Sequence, residues 1–526
     1  MLSLRDEYKK NLLRALLASL IMVVILVVVY SLRNVALTTH DDLGAYLKIK
    51  SLTFSDFMSD TITKMLERGR ISPIQVLGNM LQYVVYSSSS QFLYVLLMYI
   101  PILINVIFFG YIAGKKINKY LGVLIPLIFF TFIQIDRNHN LMIAYPLLFQ
   151  LGLTTFLIGL YTFIQYQTKR KERYLWISAL CMFDSFSAYE SFVTYFAVFF
   201  LLSVIYNTSF ADKKLHFGFK DFFKQIKYHL IAVFLYFAIY LSFRFFGQFN
   251  YGGATIDPAS FNLGLAFKTL FRFSFSLFPI REFFQDGYYT AFTWSQVGIR
   301  LIVKAVAATA ALCIILIKSS KIDLRKLIII TVVSFVAAVV FCIPHSLTPQ
   351  YQNWVSLGVS GFAPSYFCYY WIVFPLSAIG IYISNAFKKL KPVVIILLCL
   401  VIFFGSIATD FTNGATIAEK QRDTVRYKMF DRLVASPYYA SLEDGAAIYV
   451  EGYVGIHMQL STLGDYGRIY SSKNYHYSND ISDVMAYKDK YFLWYDQATE
   501  SIYLAKMKEA GIGDEVFAMS YSDSQP

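Results

Sequence analysis

Residues 12–47 read LLRALLASLIMVVILVVVY, then SLRNVAL, then TTHDDLGAYL. The first nineteen contain one charge, Arg14, and at 1.5 Å per residue they are long enough to cross a bilayer as a helix. Two adjacent carboxylates, Asp41 and Asp42, follow within about a dozen residues. A carboxylate pair at the mouth of an apolar span is costly unless it is solvated or paired, which marks it as a candidate site. The plainer reading is a solvated Asp-Asp turn that ends the first helix. No small-residue cleavage pattern precedes the pair, so the run reads as a retained anchor and not a signal peptide.

The remainder of the chain has the same character. Hydrophobic residues make up 57% and charged residues 15%, and the mean hydropathy is +0.50. A soluble domain carries about a quarter charged residues, so the composition implies a polytopic membrane protein. The net charge of +13 does not point to nucleic acid, because the lysines fall in short clusters between apolar runs and form no basic face. Cys181, Cys313, Cys342, Cys368 and Cys399 lie in or beside apolar runs with no CxxC spacing, which argues for buried thiols and against a disulfide framework.

The basic clusters set the expected sidedness. Arg5, Lys9, Lys10 and Arg14 precede the first span, so the positive-inside rule places the N-terminus in the cytoplasm and the acidic pair outside, in an external loop over 31–90. Within that loop, Phe54 to Leu66 has helical apolar spacing and Ile71 to Tyr86 is a second amphipathic or re-entrant segment. Further spans are expected at Phe92–Ile112, Leu121–Gln134 and Leu141–Tyr166. A hairpin is expected over Tyr174–Tyr206, with Asp184 to Glu190 at its outer turn. Leu230–Phe246, Leu301–Ile317, Leu327–Ile343, Tyr366–Ile383 and Val393–Ala408 complete the set. The expectation is an all-α polytopic bundle of about eleven transmembrane helices over 1–409, with the C-terminus outside.

At Asp410 the composition changes. Residues 410–526 have mixed charges and no spanning run, with strands expected at Ala446–Glu451 and Tyr491–Tyr495 and a helix at Thr416–Val434. That is long enough for a small extracytoplasmic α/β domain.

On this map the polar clusters share one face. Asp41 and Asp42, Asp136 with Arg137 and His139, Asp184 and Glu190, Arg272 and Arg281, and His345 all fall at external ends of spans. A one-faced distribution suits a site at that face better than a pathway through the bilayer, where a transporter needs interrupted helices near the midplane. The external face has no nucleotide sugars or ATP, and the sequence has no GxxxxGK phosphate loop, so a group donor used there has to arrive on a lipid. A transporter or flippase of lipid-linked glycans, and a polysaccharide polymerase or ligase, are the alternatives.

Asp41-Asp42-Leu43-Gly44, followed by Gly69-Arg70 and amphipathic helices in a first external loop, resembles the GT-C superfamily of membrane glycosyltransferases. More narrowly it is similar to the serotype-converting glucosyltransferases of bacterial O-antigen. The motifs cover the first 90 residues and the topology extends the likeness loosely further. Ala45 departs from the narrower pattern, which has a basic residue there. The resemblance implies a multi-pass enzyme of the bacterial cytoplasmic membrane. It would move a hexose such as glucose from a polyprenyl-phosphate donor to an extracytoplasmic cell-envelope glycan such as the O-antigen of lipopolysaccharide.

The chemistry that this implies fits these side chains. Asp41 or Asp42 takes the proton of the attacking hydroxyl through an oxocarbenium-like transition state, and one base without a second nucleophile favours inversion. Arg70, Arg137, Arg272, Arg281 and His345 are candidates for the departing lipid phosphate, with headgroup snorkelling as the plainer role of each arginine. Asp136, Asp184 and Glu190 either supply, with Asp41, oxygen ligands to a divalent cation such as Mg or Mn or only pair with nearby cations, and His40 and His139 read as hydrogen-bonding neighbours in preference to ligands or bases. The aromatic outer loops suit sugar faces, and an interfacial aromatic belt predicts the same residues.

Overall fold

A computed structural model of the 526-residue chain describes residues 2–36, 40–67, 72–88, 90–135, 141–145, 147, 149–211, 214–246, 261–279, 298–359, 361–451, 460–496, 498–508 and 511–520. The described residues are mostly helical: 76% of the fold is helix, and eight helices are long and apolar enough to cross a membrane. These lie in α1 (Leu2–Ser31), α5 (Gln91–Lys116), α9 (Phe196–Asn207, entered through a 3-10 turn at Glu190–Tyr195), α10 (Phe219–Phe246), α12 (Ile299–Lys318), α13 (Leu324–Phe341), α16 (Ala363–Ala386) and α17 (Lys391–Val434). Three further helices pack among them: α6 (Leu121–Phe132), α7 (Gln150–Lys169) and α8 (Arg173–Ala188). The first and last of these are short, and α7 carries three Gln and four Thr, so length and composition alone set eight spans against the eleven expected.

Small residues decide how the helices approach. A Cβ on Gly110 or Gly114 of α5 would lie 2.9 Å from backbone atoms of Gly122 in α6, so the two helices cross backbone to backbone. Between α7 and α8, Ser185 donates to the Gly152 carbonyl at 2.8 Å and Ser178 to the Gly159 carbonyl at 2.9 Å. Those pairings run in opposite directions along the two helices, which are therefore antiparallel. Contacts of Glu172 with Lys224, Ser178 with His229 and Phe186 with Tyr236 make α8 and α10 parallel. The chain consequently reverses between Ala188 and α9, at the extended Tyr189, as the expected hairpin requires.

These pairings give the bundle two distinct ends. One end gathers Lys116 with Thr168, Asn118 with Ser320, Asn385 with Ser319, and Lys391 with the Ile317 carbonyl. It carries the lysine clusters. The other gathers the C-terminus of α1, where Arg300 stacks on Tyr30 and Gln421 donates to Ser31, together with the amphipathic helices α2 (His40–Ser51), α3 (Phe54–Glu67) and α4 (Pro73–Ser88). It also holds α11 (Leu263–Phe275), which lies between the spans expected at Leu230–Phe246 and Leu301–Ile317, and α14 (Ile343–Ser346) and α15 (Pro349–Ser356).

The helix expected from Leu141 begins only at Gln150. Tyr145 and Leu147 adopt left-handed backbone angles (φ 57° and 66°), which a right-handed helix cannot accommodate, and the described residues between Leu141 and Phe149 form turns and bends, not helix. At the other boundary, α17 is one continuous helix of 44 residues, roughly 66 Å long and about twice the hydrocarbon thickness. The composition shift at Asp410 therefore falls within a helix. Beyond it, Tyr427, Met429, Phe430 and Leu433 form one side of a second core, with Ile448, Leu493, Ile502 and Leu504 of a five-stranded sheet as the other.

That sheet has strand order β4 (His476–Ser478), β3 (Ala447–Val450), β5 (Lys490–Asp496), β6 (Ser501–Lys508), β7 (Gly511–Ser520), following a small hairpin of β1 (Thr208–Ala211) and β2 (Lys214–Phe217). Strand β3 is parallel to β4 and β5, and β5, β6 and β7 are antiparallel. The two strands expected from sequence coincide with β3 and β5. Leu43 and Leu47 of α2 are buried in the same core, so the acidic helix joins the C-terminal unit to the bundle.

Candidate functional site

The site is built on α2. Leu43 and Leu47 lie four residues apart on one face, and their burial turns Asp42 inward. Asp42 is only 2% exposed, and its two oxygens accept from the backbone N–H of Tyr145 at 3.0 and 3.1 Å. A charge-assisted bond of this kind offsets the left-handed backbone at Tyr145. Burial first, and the Asp42 charge second, push the Tyr86 phenol well above its ordinary range, so it stays protonated beside that carboxylate. The phenol of Tyr427 on α17 lies within the field of both Asp42 and Asp423.

Beside Asp42 a cleft of about 210 Å³ opens between α2, α4, the start of α5 and the outer half of α17. Tyr46, Tyr86, Tyr94 and Tyr427 give it aromatic walls, while Lys50, Gln91, Lys428 and Asp431 give it polar groups. Asp431 also accepts from the Tyr470 hydroxyl, and Thr424 bonds both the N–H and the carbonyl of Ala36 at 3.0 and 2.9 Å. The roof is therefore fixed to the end of α1. Aromatic faces with a few hydrogen-bonding groups are chemically suited to a sugar ring.

The other expected residues separate into four groups. Asp184 accepts from Ser72 at 2.9 Å and from the Ile74 N–H, at the start of α4, so it anchors that helix by its N-terminal dipole. His345 is 4% exposed, with Nε2 hydrogen-bonded to the Tyr189 hydroxyl and Tyr351 and Phe362 rings 4.9 and 5.7 Å away. Burial pushes its pKa down to about 4 against an opposing field from Glu190, so the ring is neutral at pH 7 and offers an N–H, not a positive charge. Arg272, at the end of α11, donates to the Gly358 carbonyl at 2.9 Å. The side chains of His40 and Asp41, and the whole of Arg70, Asp136, Arg137, His139 and Arg281, lie outside the described residues.

Asp42 and His345 share one end of the bundle through aromatic contacts. Tyr145 packs on Phe149 at 5.6 Å, Phe149 on Tyr189 at 4.4 Å, and Tyr189 bonds His345. Among the described residues no three His, Cys, Asp or Glu side chains converge in a way that would hold a metal ion.

Two polar features lie beyond the sequence expectations. Lys304, fully buried in α12, pairs with Asp410 at 2.6 Å and donates to the Thr131 carbonyl at 3.2 Å. Its signal was a lone cation in an apolar run. On α17, Lys420, Asp423 and Arg426 are buried, and Arg426 stacks on Tyr495 with 4.3 Å to the ring centroid. The charge alternation over 419–432 reads as a solvated helix and so conceals them.

No known protein family matches the chain, and no curated protein is detectably similar to it.

Proposed function

We propose that this protein is a membrane glycosyltransferase of the GT-C type, moving a sugar from a polyprenyl-phosphate donor to an extracytoplasmic glycan. The observation that carries the reading is the asymmetry of the bundle. Asp42, the tyrosine-lined cleft, His345 with Glu190, and the Lys304–Asp410 pair lie at one end, and the lysine clusters lie at the other. One-faced polar chemistry suits a donor that resides in the membrane and an acceptor that arrives from water. In this reading α6, α7 and α8 also cross, giving eleven spans. The lysine-rich end is then cytoplasmic, and α2 and the C-terminal sheet face outside the bacterial cytoplasmic membrane.

The acceptor sugar occupies the cleft against Tyr46, Tyr86, Tyr94 and Tyr427. Its hydroxyl oxygen attacks the anomeric carbon, the bond from that carbon to the phosphate oxygen breaks, and the electron pair leaves with the polyprenyl phosphate. The hydroxyl proton passes to Asp41, since Asp42 is 2% exposed and is turned inward onto the Tyr145 N–H, out of reach of an acceptor arriving from water. Asp42 is then a positioning residue that holds the turn at Tyr145 against α2. Charge developing on the phosphate is met by arginines of the outer loops, Arg272 among them, with His345 contributing an uncharged donor. A single base makes the reaction inverting.

The test is transfer of labelled sugar from polyprenyl-phosphate donors to cell-envelope glycan by the purified protein in vesicles. Transfer without movement of lipid-linked glycan supports the reading; movement across the vesicle without transfer replaces it with a flippase.

A further inference from the structure

At the lysine-rich end, away from the acidic helix, α5, α7, α9, α13 and α16 enclose a cavity of about 290 Å³. Phe109, Leu160, Leu202, Trp371 and Phe374 are among its walls. Among its described lining residues the charged ones are Lys116 and Lys326, both at helix ends on this side of the bundle, and Lys116 is steadied by Thr168 at 3.2 Å. A second cavity of about 500 Å³ adjoins it on α9 and α13. Ile205 and Ile329 line both, and Arg325 is the charged residue among the described lining of the second.

The two cavities thus form adjoining apolar slots that share Ile205 and Ile329, with three cations and no carboxylate among their described lining residues. Water has too few polar partners there to fill them stably. A nucleotide or free sugar would leave most of its hydrogen bonds unmade. Two chains of hydrocarbon carrying one anionic head match both the shape and the charge, and basic pockets between helices at a membrane face bind such heads.

We infer that this is a binding site for an anionic diacyl phospholipid. One acyl chain lies in each slot, and the headgroup phosphate is held by Lys116, Arg325 and Lys326. The lipid would tie α9 to α13 at the membrane face. This assignment does not depend on the proposed transferase activity.

The experiment is native mass spectrometry of the full-length protein in mild detergent, with phosphatidylglycerol and phosphatidylcholine added in equal amounts. The expected result is retention of phosphatidylglycerol by roughly fivefold or more, the ratio one cation near an anionic head supplies. Lys116→Ala/Arg325→Ala/Lys326→Ala should bring the two lipids to parity. Leu202→Trp, which fills a slot and leaves the charges, should lose both while circular dichroism shows an unchanged helix content. Equal retention of the two lipids by wild type would overturn the assignment. So would unchanged lipid retention in Leu202→Trp, or displacement of the lipid by millimolar glycerol phosphate. Should the triple variant not fold, the wild-type ratio and Leu202→Trp decide the matter.

Discussion

Asp42 and Tyr145, 103 residues apart, are joined by a carboxylate that spans a single backbone N–H with both oxygens, at 3.0 and 3.1 Å. The bond fixes a turn whose φ of 57° would otherwise be unfavourable for tyrosine. Replacing Asp42 with Ala leaves that N–H without its acceptor and should destabilise the protein by about 1–3 kcal/mol. The measurement is the midpoint of thermal unfolding in detergent, and an unchanged midpoint would show that the turn holds itself.

Lys304 and Asp410 form a pair of the kind whose separate removal is far worse than its joint removal. Lys304→Met alone should cost about 3–5 kcal/mol by leaving a buried carboxylate without its partner, and Lys304→Met/Asp410→Leu should recover most of that loss. A double-mutant comparison of unfolding midpoints reads the coupling directly.

The buried His345 predicts a pH dependence. Its folded pKa of about 4 lies below the ordinary value near 6.5, so the unfolded chain binds the extra proton first as pH falls. Its contribution to stability is therefore complete above about pH 6.5 and is lost as pH falls toward 4. In His345→Gln the slope of stability against pH should flatten within that window, as measured by unfolding at stepped pH.

The cleft beside Asp42 predicts a steric effect on the reaction. Gln91→Trp places an indole in a space of about 210 Å³ and should reduce transfer roughly tenfold or more, with donor binding retained. Loss of donor binding instead would move the donor into this cleft.

Close backbone contact predicts the last effect. A Cβ added at Gly114 would sit 2.9 Å from the Gly122 Cα, and backbone cannot yield as a side chain can. Gly114→Ala should cost about 1–3 kcal/mol, and Gly44→Ala, with open space around it, should cost far less. Unfolding midpoints of the two variants provide the comparison.

Several of these features were legible in the sequence for clear physical reasons. Long apolar runs and lysine clusters reveal spanning helices because hydrocarbon tolerates few alternatives. The reversal at Tyr189 was visible from basic flanks on both sides of 174–206. The burial of Asp42 was not, because it depends on Tyr145, whose left-handed turn has no glycine to announce it. Likewise Lys420, Asp423 and Arg426 look solvated from sequence, but α17 runs unbroken from the apolar bundle into the second core. The cleft sets α17 against α2, α4 and the start of α5, more than 300 residues earlier in the chain, and no local pattern brings Tyr46 and Asp431 together.

The central claim is that a carboxylate on α2 accepts the proton during glycosyl transfer. It is tested most directly by measuring transfer from a labelled polyprenyl-phosphate sugar with wild type, Asp41→Asn and Asp42→Asn, each checked for folding. The account predicts that Asp41→Asn loses transfer by about a hundredfold or more at unchanged unfolding midpoint, the scale of a missing general base. Asp42→Asn should lower the midpoint, and its transfer should recover in part at reduced temperature. Full transfer by Asp41→Asn would contradict the account and leave the acidic pair as the cap of a helix.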